Sequence, residues 1–315
     1  MSSYVSAHEA TLGAERPWWK PSLRQQPFTP TWDLPHNLAQ RSRIIWPAAY
    51  GWAPAEKWVG PLKAGFGNYM PVETSAEIAA LRYAAVVFHL EFDGTRYPIA
   101  IDYSDYPEID EDTAKSSLAY FKMQFRGEGY DHANVYPGGF VTNELAIYRM
   151  LPGLRRRTTK RPKFEAYGRF NVRYGTAVRK KAIELLEGQD KFSFMGSPQI
   201  LRYSRSLREA ASAKVCIDLP GRGDLCFRLM DYLAIGCCVV GPRPNAKLHV
   251  PLEDRKHILY AKPDLSDLVD RCEECLEDEA LRKTLSANAR EYFNKYVHHR
   301  QLASYYLHHC FALIS

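Results

Sequence analysis

The fold of this chain is decided by residues 214–240, KVCIDLPGRGDLCFRLMDYLAIGCCVV. An apolar strand at 214–219 runs into a glycine-rich turn, and a helix follows at 225–236. A second apolar strand, 237–241, comes directly after that helix. A strand, a helix and a strand at this spacing predict a βαβ unit, in which the two strands lie parallel in one sheet.

The same alternation extends to both sides of this unit, over the whole second half of the chain. Further strands are predicted at 164–170, 191–196 and near 257–261, and further helices at 175–188, 200–212, 264–277 and 279–314. Strands that alternate with helices of about 10–15 residues are typical of a parallel sheet covered by helices. The second half is therefore predicted to be a Rossmann-like α/β domain.

The first half is less regular. Residues 1–40 are rich in Pro and Trp and lack a regular hydrophobic pattern, so they are predicted to be an extended arm that packs on a domain. In the N-terminal domain, 41–151, two strands at 84–92 and 96–103 flank Asp93-Gly94, a strong hairpin signal. A first strand is expected at 43–50, a short helix at 73–82, and a helical or irregular stretch between residues 115 and 123.

Residues 152–163, PGLRRRTTKRPK, mark the predicted boundary between the two halves. They carry six Lys and Arg residues, and Leu154 is their only large apolar residue. We interpret this stretch as a solvated hinge, because linkers between domains are commonly polar and charged. The alternative is a phosphate-binding patch. The domain that follows is predicted at 164–299, and 300–315 forms a final helix.

The composition is that of a folded protein in a reducing compartment. Of the 315 residues, 46% are hydrophobic and 25% are charged, which excludes a mostly disordered chain. No apolar run reaches the roughly 20 residues of a membrane-spanning helix, and the N-terminus lacks the pattern of a secretory signal. The seven cysteines, including Cys272 and Cys275 at CxxC spacing, are expected to be reduced thiols. We therefore expect a cytoplasmic protein with no integral membrane segment.

The glycine-rich turn quoted above is the strongest candidate for a binding site. Ligands of parallel sheets bind beyond the carboxyl ends of the strands, and free N–H groups at a helix start favour an anion. Gly221, Arg222 and Gly223 form the turn. Arg228, one turn into the helix, can fork onto a diphosphate, and Asp231 on the same face can accept hydrogen bonds from ribose hydroxyls. The alternative is an ordinary Arg–Asp pair on a helix surface.

A second strand end carries the same kinds of residue. Gly168 and Arg169 close the strand at 164–170, and Arg173 follows before the next helix. Gly168 would let a ligand approach the backbone closely, and the two arginines would place positive charge beside it. The formal net charge of +6 also suits an anionic ligand such as a nucleotide.

The segment 214–240 resembles the donor-nucleotide segment of GT-B glycosyltransferases, and it is closest to the exostosin-like and CgeB-like groups. The resemblance rests on Pro220-Gly221, on FRLMD at 227–231 and on GCCVV at 236–240. It implies two Rossmann-like domains that face a cleft. The C-terminal domain would hold a nucleotide-sugar and the N-terminal domain the acceptor, and the final helix would return to the first domain.

A glycosyl transfer needs a base for the acceptor hydroxyl, or a leaving phosphate that takes its proton. Asp102 and Asp105, at the end of the strand 96–103, are the candidates for the base; the alternative is that both cap a loop. Lys122 is a candidate for phosphate or acceptor contact, or else a lysine that extends from a helix into water. No H-E-x-x-H motif and no D-x-D between small residues occurs, so no metal site is expected.

These observations predict an enzyme, a metal-independent glycosyltransferase that uses a nucleotide-sugar. A UDP-sugar is the expected donor, and no cofactor beyond this co-substrate is expected. The acceptor hydroxyl is left open between a glycan, a small molecule and a modified DNA base. A DNA-modifying transferase is the alternative that suits the basic stretch. A third interpretation is a nucleotide-binding protein without turnover.

Overall fold

The computed structural model describes residues 28–78, 84–196 and 201–314. Within these ranges the first half of the chain forms a six-stranded sheet. Its strands are β1 (Ser42–Pro47), β2 (Val72–Ser75), β3 (Ala85–Phe92), β4 (Thr95–Asp102), β5 (Ala119–Lys122) and β6 (Val135–Pro137). The helices of this half are α1 (Leu38–Arg41), α2 (Glu56–Phe66), α3 (Glu111–Ser116) and α4 (Ala146–Thr158).

The sheet of the first half is mixed, with the order β2-β1-β3-β4-β5-β6. β1 pairs parallel with β2, and β4, β5 and β6 are parallel to one another. β3 runs antiparallel to both of its neighbours. The predicted hairpin is confirmed, because β3 and β4 are joined by Asp93 and Gly94, whose φ angles of 48° and 81° suit a tight two-residue turn.

Two local predictions for the first half are wrong. The helix expected at 73–82 begins as β2, which lies beside β1, and residues 79–83 lie outside the described ranges. The stretch expected to be helical or irregular before residue 123 contains β5. All four residues of β5 are buried, so the alternation that marks a half-exposed strand is absent from its sequence.

The second half forms a five-stranded parallel sheet, as predicted. Its strands are β7 (Phe164–Gly168), β8 (Phe194–Gly196), β9 (Ala213–Ile217), β10 (Val239–Pro242) and β11 (Leu259–Ala261), in the order β11-β10-β9-β7-β8. Its helices are α5 (Thr176–Glu187), α6 (Tyr203–Ala210), α7 (Phe227–Ile235), α8 (Leu268–Glu277), α9 (Glu279–Tyr292) and α10 (His299–Ile314). In this order the direction of winding reverses between β7 and β9, and open parallel sheets bind ligands at such a switch point.

Much of the basic stretch 152–163 is helical, since α4 continues to Thr158. Arg155 donates to Ala234 O at 2.9 Å and to Asn294 Oδ1 at 2.7 Å. It therefore ties α4 to the second half of the chain. Burial lowers the pKa of Arg155 to about 10.

The last helix, α10, packs against α2 and β5 of the first half. The ring of Tyr306 stacks on Phe121 with 3.8 Å between centroids, and its hydroxyl donates to Gly138 O at 2.8 Å. The described end of the N-terminal arm follows the same helix, because Thr31 N donates to Gln301 Oε1 at 2.8 Å.

One hydrophobic core is shared by the two halves. It joins Phe88 and Ile101 of the first sheet to Leu229 and Leu233 of α7 and to Leu302 of α10. Burial of apolar surface on this scale is the main force that holds the halves together. In the described part of the chain, no helix is long and apolar enough to cross a membrane.

Candidate functional site

The two strand ends singled out in the sequence meet at the switch point of the second sheet. The loops after β7 and β9 touch, because a Cβ added at Gly175 would lie only 2.7 Å from Gly221 O. Gly175 also has a φ of 67°, a conformation that favours glycine. α5 begins directly after it without a side-chain cap, which leaves N–H groups at this edge of the sheet available to an anion.

A buried arginine that is not among the residues expected from the sequence, Arg179, holds these loops together. Arg179 Nε donates to Pro220 O at 2.9 Å, and its Nη1 donates to Asn171 O at 2.6 Å. Arg179 shares a helix face with Ala182 and Leu186, which are buried. An arginine on an otherwise apolar helix face was the signal that the sequence offered.

A cavity of about 210 Å³ opens beside the glycine-rich turn, at the ends of β9, β10 and β11. Its lining includes Asp218, Asp224, Gly241, Arg243 and Tyr260. The guanidinium of Arg243 lies 4.3 Å from the centre of the Tyr260 ring. Pockets that enclose a whole small ligand usually measure roughly 300–1,000 Å³, so this cavity suits one part of a larger ligand.

Arg228, expected to bind a diphosphate, is engaged by the protein itself. Its Nε donates to Asp218 Oδ1 at 3.0 Å, its Nη2 donates to Leu219 O at 2.7 Å, and it lies over the Phe170 ring. Burial raises the pKa of Asp218, and the charges of Arg228 and Arg179 oppose that rise. Arg228 thus holds the end of β9 in place. Asp218, a carboxylate in the cavity wall, was not selected from the sequence.

Arg222 and Arg173 remain exposed at the mouth of the site. Their guanidinium groups lie 5.5 Å and 5.9 Å from the centre of the Tyr174 ring. Within the described ranges neither arginine pairs with a carboxylate. Two cations beside one exposed ring, next to Gly221, form a positively charged rim that an anion can neutralise.

The first half brings Asp105 to the same turn. A Cβ added at Gly223 would lie 2.7 Å from Asp105 O, so the two loops are in backbone contact. The carboxylate of Asp105 is half-buried, and it has no hydrogen-bond partner among the residues that the structure describes. Burial raises the pKa of Asp105, and the charge of Arg222 opposes that rise. A raised pKa brings a carboxylate closer to the range of an effective base.

Asp102 and Lys122 lie beneath this site rather than in it. Lys122 Nζ donates to Asp102 Oδ1 at 2.8 Å, and Tyr120 donates to the other oxygen at 2.5 Å. Asp102 is 1% exposed and Lys122 is 0% exposed, so neither reaches a substrate in this arrangement. Asp102 also accepts a hydrogen bond from Ser104 N at 2.8 Å. The pair therefore supports the loop that carries Asp105. This structural role differs from the roles expected from the sequence, a base for Asp102 and a phosphate or acceptor contact for Lys122.

Two further candidates at the end of β7 are also taken up by packing. A Cβ on Gly168 would lie 2.3 Å from the Phe170 ring, so this glycine makes room for a neighbouring side chain. Arg169 Nε donates to Glu209 Oε2 at 2.8 Å, in an ion pair whose two side chains are mostly buried. Both residues are therefore engaged within the protein, and neither has the ligand-binding role expected from the sequence.

Asp231, the expected ribose ligand, is 5% exposed. Its Oδ1 accepts hydrogen bonds from Tyr203 OH at 2.9 Å and from Asn143 N at 3.3 Å. Burial raises the pKa of Asp231 to about 7. In this arrangement the carboxylate joins α7 to the segment before α4 instead of facing the cavity.

The structure thus assembles a smaller site than the sequence predicted. It brings together Gly221, Arg222, Gly223 and Arg173 from the second half and Asp105 from the first half. Among residues 28–78, 84–196 and 201–314, no three His, Cys, Asp or Glu side chains come together in a way that could hold a metal.

The fold and this candidate site define an α/β protein with a positively charged edge at the switch point of its parallel sheet. A family model described as glycosyl transferase-like matches residues 146–308, just over half of the chain. The chain belongs to this family, and it is a glycosyltransferase enzyme. The fold class predicted from the sequence, α/β with two Rossmann-like domains of which the second is the clearer, is confirmed, because both halves form sheets with parallel strands and the first sheet is mixed.

Solved glycosyltransferase structures are similar to the chain at low identity. The C-terminal domain of a group 1 glycosyl transferase from Francisella tularensis is 12% identical, covers 45% of this chain and 90% of its own, and has a TM-score of 0.32. A glycosyltransferase from Rickettsia africae is 10% identical over 69% of this chain and 70% of its own, with a TM-score of 0.41.

A third structure is a mutant of TarM from S. aureus in complex with fondaparinux, alpha-GlcNAc-glycerol and UDP. It is 13% identical over 62% of this chain and 44% of its own, with a TM-score of 0.39. Likenesses at this level do not bear on substrate or mechanism. Comparison with curated protein sequences finds no match.

Proposed function

We propose that this glycosyltransferase moves a sugar from a nucleotide-sugar, with a UDP-sugar as the donor, to an acceptor hydroxyl without a metal ion. The observation that carries the proposal is the rim of Arg222 and Arg173, which faces Asp105 across the glycine-rich turn. A closer relation to the exostosin-like and CgeB-like groups rests on the segment 214–240 and is part of the same proposal.

In this proposal the donor lies along the edge of the second sheet. The cavity beside Tyr260 takes the base or ribose, since it has room for only part of the ligand. The diphosphate lies against Gly221, Arg222 and Arg173, where two guanidinium groups and the uncapped N–H groups at the start of α5 neutralise it. Arg228 contributes indirectly, because it fixes the end of β9 through Asp218.

In the proposed transfer step, Asp105 acts as the base and the two exposed arginines stabilise the leaving group. Asp105 takes the proton of the acceptor hydroxyl, and the hydroxyl oxygen forms a bond to the anomeric carbon of the sugar. The bond between that carbon and the phosphate oxygen breaks, and the leaving nucleoside diphosphate keeps the electron pair. Arg222 and Arg173 stabilise the charge that develops on the leaving group. Their fixed charges supply what a metal ion would otherwise provide.

The test is a binding screen with UDP, GDP, ADP, CDP and dTDP, followed by the Arg222→Ala variant. A nucleotide present at a hundredfold excess over its dissociation constant should raise the free energy of unfolding by about 2.7 kcal/mol. Arg222→Ala should weaken UDP binding by about 1.5–3 kcal/mol, because a charge-assisted contact is lost. The melting temperature of the free variant should stay near that of the wild type, since Arg222 is exposed.

The matched control is Arg208→Ala, which removes another exposed arginine, on α6. It should leave UDP binding unchanged. The proposal fails if no nucleotide stabilises the protein, or if Arg222→Ala and Arg208→Ala bind UDP equally well. Stabilisation by GDP, ADP, CDP or dTDP instead of UDP would keep the site and correct the donor.

A further inference from the structure

Gln124 connects the two halves of the molecule at the glycine-rich turn. It lies two residues after β5, and its side chain is 3% exposed. Its Nε2 donates to Leu225 O at 2.9 Å, and its Oε1 accepts from Leu225 N at 3.1 Å. One amide of the first half thus pairs with both backbone groups of one residue in the second half.

This double hydrogen bond lies directly against the turn. A Cβ added at Gly223 would lie 2.5 Å from Gln124 Nε2 and 2.7 Å from Asp105 O. The side chain of Gln124 and the backbone of the Asp105 loop therefore both occupy the place where a side chain at residue 223 would stand. The position of Asp105 relative to the turn depends on contacts that leave no space for a side chain.

A second contact extends the connection to the cavity wall. Lys247 N donates to Phe125 O at 2.8 Å, so the same segment of the first half also holds the loop after β10. Asp224 links that loop to the turn, because its carboxylate accepts from Asn245 N at 2.9 Å and from Ala246 N at 3.1 Å. Residues 124–125 thus contact both the turn and a loop that lines the cavity.

We propose that Gln124 is a positioning residue, which holds the Asp105 loop against the glycine-rich turn so that the transfer step depends on it and nucleotide affinity does not. This inference rests on the proposed function. The nucleotide contacts of that function all come from the second half, whereas Asp105 comes from the first. Loss of the Gln124 contacts should therefore separate the base from the donor and leave the donor site itself intact.

An apolar residue of similar size cannot replace Gln124. With Gln124→Leu, the N–H and C=O groups of Leu225 lose their partners in a buried place, and an unpaired buried polar group is costly. They can be satisfied by water only if the two halves move apart. A displacement of about 1 Å at a reacting group can reduce turnover by about 10²-fold.

The experiment compares the wild type, Gln124→Leu, Gln124→Glu and a control, Gln189→Leu. Gln124→Glu keeps the oxygen that accepts from Leu225 N and removes the donor to Leu225 O. Gln189 is a matched control, because its amide also pairs with nearby backbone groups, including Leu186 O at 3.1 Å and Phe192 O at 2.8 Å, at the far end of α5. The readouts are hydrogen exchange of the peptide that contains Leu225, UDP affinity, and UDP release from UDP-glucose.

Gln124→Leu should speed hydrogen exchange at Leu225 at least tenfold, lower UDP release about 10²-fold and change the UDP dissociation constant by less than twofold. Gln124→Glu should lie between the wild type and Gln124→Leu in exchange and in turnover. Gln189→Leu should lower the melting temperature without changing the other three quantities. A general loss of folding, in contrast, would lower affinity and turnover together.

The inference is overturned if hydrogen exchange at Leu225 is as slow in Gln124→Leu as in the wild type. It is also overturned if Gln124→Leu loses turnover only because it binds UDP more weakly. If the wild type neither binds UDP nor releases it from UDP-glucose, the proposed donor is wrong. The exchange at Leu225 then still decides whether Gln124 holds the two halves together.

Discussion

Two pairs of opposite charges in this protein have their carboxylates close together in the chain, but the pairs differ in their access to water. Asp102 and Lys122 are buried and joined at 2.8 Å. Asp105 is half-buried and Arg222 is exposed, and they influence each other through their charges without a direct hydrogen bond. The two carboxylates are three positions apart in the chain, yet one supports the scaffold and the other faces the candidate site.

The two pairs differ in whether their charges can still interact with a ligand. Desolvated charges must already be satisfied within the protein, because an unpaired buried charge costs several kcal/mol. Charges at the surface keep their hydration until a ligand replaces it, so they remain available for binding. Arg228 and Arg222 show the same contrast. Arg228 forms an ion pair with Asp218, whereas Arg222 pairs with no carboxylate among the described residues.

The comparison is tested most strongly by removing the basicity of Asp105. Asp105→Asn should lower UDP release from UDP-glucose by about 10²–10⁴-fold, because a positioned base contributes that much. UDP affinity should stay within about twofold, since the proposed donor contacts come from the other half. Asp112→Asn, on the surface of α3, is the control. Full turnover in Asp105→Asn would assign the base to another group or to the leaving phosphate.

Removing the cation of the buried pair should affect folding instead of chemistry. Lys122→Met takes the counter-ion away from a carboxylate in the core, and breaking such a pair typically costs about 3–5 kcal/mol. The free energy of unfolding, measured with urea, should fall by that amount. Lys115→Met removes an exposed lysine and should have little effect. A cost below about 1 kcal/mol for Lys122→Met would show that water reaches Asp102 and that the two pairs are not different in kind.

A third buried carboxylate sharpens the comparison through its pH dependence. Because burial raises the pKa of Asp231 to about 7, the folded state binds a proton that the unfolded state, with a pKa near 3.8, has released. The free energy of unfolding should therefore fall as the pH rises from 5 to 8, by roughly 2.5 kcal/mol from this group alone. Asp231→Asn should remove this part of the pH dependence. An unchanged slope in the variant would mean that Asp231 titrates as an ordinary exposed carboxylate.

The smallest effect is expected from chelation. Excess EDTA should leave UDP release unchanged, because the proposed site neutralises the diphosphate with Arg222 and Arg173. The check is turnover in EDTA with and without added Mg²⁺ or Mn²⁺. Loss of turnover in EDTA and its recovery with metal would show that the two arginines do not suffice.

The sequence predicted the second half well because each strand and helix there carries its own local pattern. The ends of β7 and β9 were also identified, since glycines and arginines after apolar strands are local features. What the sequence did not predict is which charged residues find partners. Arg169 meets Glu209, 40 positions away, and only the packing of α6 beside β7 brings them together.

The pair Asp102–Lys122 illustrates the same difficulty in the first half. The two residues are direct neighbours in the register of β4 and β5. This contact cannot be predicted from the sequence unless β5 is recognised as a strand. Its sequence, Ala-Tyr-Phe-Lys, ends in a charged residue, and no local feature of it predicts that the lysine is fully buried. Gln124 was missed for a related reason, because its partner is a backbone group 101 positions away.

The packing of α10 on the first half has a consequence for how the protein is made. Tyr306 completes the environment of Phe121 and bonds to Gly138, which precedes it by 168 positions. On the ribosome the first sheet is therefore synthesised long before the helix that covers it. Until that helix emerges, Phe66, Phe121 and their neighbours present apolar surface to the cell, which is the condition under which chaperones bind nascent chains. The first half therefore reaches its final packing only after α10 has been synthesised.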